Sequence, residues 1–146
     1  MIVQSSGSER TTAAAVNISA IFFPYLGPVI GAVFARNSKF VRFHAYRCLI
    51  EQVLSTLIIG TLVIISLAFT IYSLSKTMEG GFDWHKIDWQ TIIIKSVVTY
   101  LLLALWGVIN TLLSVRDAME ALRGELPTKP KWSEREAMKL AKITIN

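Results

Sequence analysis

Three long apolar runs, and too little polar chain to cover them, predict an all-α integral membrane protein. The expected form is a three-helix bundle with a kinked first helix, a short interfacial hinge and a cytoplasmic helical C-terminal tail. The runs are Thr12–Ala35, Cys48–Leu74 and Thr91–Val115. Each exceeds the roughly 20 helical residues that cross a hydrocarbon core. Hydrophobic residues make up 53% of the 146 positions. Mean hydropathy is +0.50, and both values are high for a soluble domain. Helices satisfy their own backbone in lipid, so three spans follow. The chain then divides into a flexible N-terminus over 1–11, a membrane domain over 12–126 and a tail over 127–146. The spans fall at about 12–35, 45–74 and 90–115, with a helical extension to about 123.

The first run is broken by Pro24, Gly27, Pro28 and Gly31. Each proline removes a helix donor, which predicts a kink or two half-helices around Phe23–Pro28. Gly27 and Gly31 are spaced for close contact with a neighbouring helix, expected to be span two or three. A broken helix lining a transport pathway is the alternative. The leader carries both Glu9 and Arg10, so the run is not read as a signal peptide and is expected to stay in the mature protein.

A hinge, Arg36–Arg47, follows. It holds Arg36, Lys39, Arg42 and Arg47 and no acid, interleaved with Phe40, Val41, Phe43 and Tyr46. That mixture suits a membrane interface, with rings among headgroups and cations toward phosphates. Nucleic-acid binding is not expected between two membrane segments. Span two then opens with His44, Arg47, Glu51 and Gln52. Arg47 and Glu51 are four apart and positioned to pair. A carboxylate in a membrane segment turns inward to a partner, so Glu51 and Gln52 read as a polar clamp or as a polar vestibule.

The second connection, Ser75–Gln90, carries a Gly80-Gly81 turn and an aromatic cluster that includes Trp84 and Trp89. These tryptophans suit the far interface. His85 reads as surface chemistry. In span three, Asn110 is placed to hydrogen-bond a neighbouring helix. Beyond it, Arg116 and Glu120 are spaced to pair, and Gly124 and Pro127 stop the helix. A last helix is expected from Ser133, capped with Glu136.

Basic residues concentrate in the hinge and the tail, while the second connection mixes both signs. The positive-inside rule then places the hinge and C-terminus in the cytoplasm and the N-terminus outside, in a prokaryotic inner membrane. One cysteine, Cys48, excludes an intramolecular disulfide. No phosphate loop, zinc-ligand pair or nucleophile elbow is present, so no catalytic or metal residue is assigned and an enzyme is not expected. No cofactor and no small-molecule substrate is predicted, although a bound lipid or pigment would be compatible with the spans.

The hinge carries a resemblance. Tyr25–Cys48, with the core Val41, Arg42, Phe43, His44 and Ala45, resembles a widespread family of small bacterial and archaeal membrane proteins. Asp117–Pro130 resembles the end of that family. The family is similar to the Tic-type translocon component of the chloroplast inner envelope, and some magnetosome membrane proteins share the domain. The chloroplast protein usually has four spans, which argues against a pore formed by one copy of a three-span chain. The resemblance implies no catalytic residues. The expected function is a non-enzymatic accessory or structural subunit of a larger membrane complex, with energy-converting and photosynthetic complexes as candidates. The alternative is a component of a Tic-like translocation or transport channel. Expected partners are membrane lipids and other integral membrane subunits.

Overall fold

Pro24 does more than bend the first apolar run. In the computed structural model, which describes residues 5–35, 37–78, 88–127 and 130–143 (with side chains except at 77 and 78), the run is two helices. These are α1, Gly7–Phe22, and α2, Leu26–Phe34. The residue before a proline is pushed out of helical geometry, and Phe23 has φ −130° and ψ 71°. Tyr25 then takes φ 74°, the left-handed region, and the chain reverses. Pro28 falls in the first turn of α2, where no backbone donor is needed.

The two helices pack antiparallel. A Cβ on Gly27 would collide with the Ser19 side chain, and a Cβ on Gly31 would lie 2.5 Å from Val16 Cγ2. The two glycines therefore bring α2 onto α1, rather than onto the later helices. At about 1.5 Å per residue, the 16 residues of α1 and the 9 of α2 are each too short for a bilayer core. Among the described residues, two helices, not three, are long and apolar enough to cross a membrane. Composition alone cannot separate a continuous 24-residue helix from a hairpin of the same residues; the close glycine contacts distinguish them.

Helix α1 also starts earlier than the apolar run. Ser6 caps it, with its hydroxyl accepting from the Glu9 N–H and Glu9 accepting from the Ser6 N–H. This reciprocal cap brings residues read as a flexible terminus into the helix. The Ser38 hydroxyl also hydrogen-bonds the Glu9 carboxylate and, with the Ser6 groups, holds its pKa below the usual range.

Helix α3 spans Lys39–Met78, α4 spans Trp89–Arg123 and α5 spans Trp132–Ala141. Most of the hinge thus forms the first turns of α3. Gly124, at φ 73°, ends α4 by letting the Glu125 N–H reach back to the Glu120 carbonyl. Helix α5 begins one residue before Ser133. Glu134, not Glu136, accepts from the backbone N–H at the helix start, that of Lys131. Arg36, Trp84 and His85, with the Gly80-Gly81 turn, lie outside the described residues.

The chain forms two compact units. One comprises Met1–Leu54 with Ile109–Asn146, and the other Ser55–Val108. The first has a core dominated by alanine: Ala13, Ala45, Ala118, Ala121, Ala137 and Ala141 pack around Phe40, Val41, Phe43 and Met138. Small side chains let five helical segments approach closely. In the second unit, α3 and α4 run antiparallel. Trp106 donates to the Ser55 hydroxyl at 2.8 Å, and Ser66 and Thr99 share a hydrogen bond of 3.2 Å. Large apolar side chains such as Ile64, Leu101 and Leu105 point outward. That inversion of a soluble protein's burial pattern fits a surface solvated by lipid.

Gly31→Leu should be destabilising, because its Cβ would lie 2.5 Å from Val16 Cγ2. Overpacking of this kind costs about 1–3 kcal/mol. Gly60, with no atom near its missing Cβ, provides the control. Thermal unfolding in detergent, followed by circular dichroism, should show a lower midpoint for Gly31→Leu than for Gly60→Leu.

Candidate functional site

Arg47 lies at the centre of the first unit. Its side chain is 3% exposed, and four carboxylates surround it. Glu51, one turn further along α3, accepts from Nε at 3.2 Å. Glu120 of α4 accepts from one terminal nitrogen at 2.9 Å. The other terminal nitrogen meets Asp117 of α4 at 3.0 Å and Glu134 of α5 at 3.2 Å. One guanidinium therefore ties three helices together. Its planar fork offers five N–H donors at fixed angles, a geometry no lysine reproduces.

Local sequence explains each position. Arg47 and Glu51 are one turn apart on α3. Asp117 and Glu120 are three apart on α4 and so share a face. Glu134 sits in the first turn of α5, where a carboxylate also suits the helix dipole. Arg116 offsets part of the surplus negative charge, reaching Asp117 at 2.8 Å and Glu120 at 3.5 Å. Ser133 donates to Glu51 at 3.4 Å, which draws that hydroxyl to the cluster.

The other described residues singled out in the sequence have surroundings of their own. Phe40, Val41, Phe43, His44 and Ala45 are all buried in the core. Phe40 and Phe43, expected at headgroup level, instead flank the His44 ring edge-on at centroid distances of 4.7 and 5.1 Å. Neither His44 nitrogen has a hydrogen-bond partner. Arg47 likewise meets carboxylates where phosphates were expected. Lys39 remains exposed, while Arg42 donates to the Leu140 carbonyl and the Tyr46 hydroxyl. The Gln52 backbone carbonyl accepts from the Tyr25 hydroxyl at 3.3 Å. Asn110 is half-buried on α4, and Trp89 is exposed at its start.

The pairs Arg47–Glu51 and Arg116–Glu120 were readable from spacing alone. Asp117, Glu120 and Glu134 as partners of Arg47 were not, because they are 70 or more residues distant. The available signal was the pair of acids Asp117 and Glu120, three apart just past span three and so on one helix face. Among the described residues, no group of three or more His, Cys, Asp or Glu is arranged to hold a metal ion. The cluster's chemistry is that of a clamp. Its cation is a side chain, and its carboxylates converge on that cation.

Removing one partner of a buried ion pair leaves the other charge without compensation, at a cost of about 3–5 kcal/mol. Arg47→Ala should therefore unfold the first unit at markedly lower temperature, and Arg47→Lys should recover only part of the loss. Lys139→Ala breaks an exposed pair with Glu136 and should cost less than about 1 kcal/mol. Thermal unfolding of all three in one detergent checks the order.

The comparisons bear on the whole of this arrangement. No curated protein and no solved structure matches the chain. A family model matches residues 8–133, a stretch that runs from the first helix to the start of the last and includes the hinge motif. By that match the chain belongs to the magnetosome magnetite crystal formation protein family.

Proposed function

We propose that this protein is a non-enzymatic structural subunit of a membrane assembly, built to hold a helical unit in fixed shape. The Arg47 clamp carries this reading. A catalytic carboxylate must be open to substrate and free to exchange protons, whereas these converge on one arginine. Asp117 and Glu134 are almost fully buried, and the whole constellation serves to lock α3, α4 and α5 in register. Such a rigid surface suits a protein whose work is to be bound.

The family's description supplies the setting. Its members belong to magnetite crystal formation in the magnetosome, and this chain is read as a membrane component of that kind of compartment, with a structural share in the task. The prokaryotic inner membrane is the expected location in the cell. A Tic-like channel component is the alternative, and conductance across planar bilayers separates the two readings.

Extraction from native membranes in mild detergent should recover the protein with other integral membrane subunits in fixed stoichiometry, identified by mass spectrometry. Arg47→Ala should reduce that recovery at equal expression. Recovery of the wild-type chain only as a lone protein would overturn the subunit reading. Conductance across planar bilayers that changes with Glu51→Ala would instead support the channel.

A further inference from the structure

We infer that the α1–α2 hairpin enters the bilayer from one side, seats its apolar groove in the acyl chains of a single leaflet, and leaves on the side it entered. Three observations converge. The first is length: the two helices have 16 and 9 residues, and neither reaches across a hydrocarbon core.

The second is the surface the hairpin presents. Helix α2 has no polar side chain, yet Leu26, Ile30 and Phe34 are 62%, 53% and 83% exposed. The tip is also apolar, with Phe22 70% and Phe23 62% exposed. An open groove of about 720 Å³ runs between the helices, lined mainly by Val16, Phe23, Leu26, Ile30 and Phe34. The opposite end is polar: Ser6, Glu9 and Ser38 hydrogen-bond there. A contiguous apolar surface of this kind marks a contact site. Only residues 35–38 separate α2 from α3, one of the two helices suited to cross the membrane. The surface is thus tethered beside a bilayer, and acyl chains are its nearest apolar solvent.

The third is where α1 is held. Its Ala13, Ala14 and Val16 share one core with Phe40 and Val41 of α3, Ala118 and Ala121 of α4, and Ala137 of α5. Arg10 lies against Gly124, so closely that a Cβ there would come within 2.8 Å of its Nε. An N-terminus on the opposite side from the tail would have to leave this core. The hairpin therefore keeps the start of α1 and helix α5 on one face. This differs from the arrangement that basic-residue counting predicts for three crossings.

The test uses the full chain. Gly7 is exposed with open space around it, and Lys139 is exposed on α5. Gly7→Cys and Lys139→Cys, treated with a membrane-impermeant maleimide, should both react in the same preparation, either spheroplasts or inverted vesicles. Cys48 is buried, and its labelling in the wild-type chain sets the background. A nitroxide on Phe23→Cys in liposomes should be relaxed several-fold more by oxygen than by a water-soluble nickel chelate. Labelling of the two cysteines in opposite preparations would overturn the inference, since α1–α2 would then cross. Equal relaxation by both reagents would place the tip in water and also overturn it. Protection from both, with spin–spin coupling between copies, would assign the surface to a second copy of the chain and exclude lipid.

Discussion

One buried arginine sets the register of the first unit. A guanidinium withdrawn from water is costly unless hydrogen bonds replace its hydration. Arg47 obtains them from three helices at once. None of these helices can slide by a turn without leaving a donor or a carboxylate unpaired. The alanine-rich core around it has few large side chains to impose such a register by shape. Packing supplies closeness, and the clamp supplies the unique arrangement. Replacing such a cluster by apolar residues of similar volume is often neutral or stabilising, so its value here lies in specifying one alignment of α3, α4 and α5.

The second unit is held by different means. Its apolar side chains face outward, and lipid offers no driving force to bring two apolar helices together. Contact between α3 and α4 is fixed there by hydroxyl and indole groups: Ser55 with Trp106, and Ser66 with Thr99. Each of these groups also has a local reason to be satisfied, since an unpaired donor in hydrocarbon is expensive. The same chain thus uses charge where it is buried in protein and neutral hydrogen bonds where its surroundings are apolar.

Helices α3 and α4 were legible because their apolar runs are long and uninterrupted. The ion pairs one turn apart were legible for a local reason too: spacing on a helix fixes adjacency. The rest needed long-range information. Phe40, Phe43 and Arg47 carry the composition of an interfacial segment, and only the presence of α1, α4 and α5 around them turns that segment into a core. The helix start at α5 shows the same limit. Ser133 with Glu136 has the spacing of a cap, but Glu134 reaches both the Lys131 N–H and Arg47, so two bonds to Glu134 outweigh one local pattern. At the N-terminus the local signal was present, Ser6 with Glu9, and was overshadowed by the polar composition around it.

The first apolar run is the most instructive case. Hydropathy reports only that a segment prefers to leave water, and a hairpin satisfies that preference as well as a crossing does. What distinguishes them is whether the backbone can turn and whether the two arms can touch. Pro24 with the left-handed Tyr25 allows the turn. Gly27 and Gly31, opposite Ser19 and Val16, allow the contact. A crossing helix with these residues would carry a broken ladder at its centre and two glycines that weaken it by about 1 kcal/mol each. As a hairpin, the same residues all have a task. Prolines and glycines in an apolar run are thus better read for the geometry they permit than discounted as interruptions of a span.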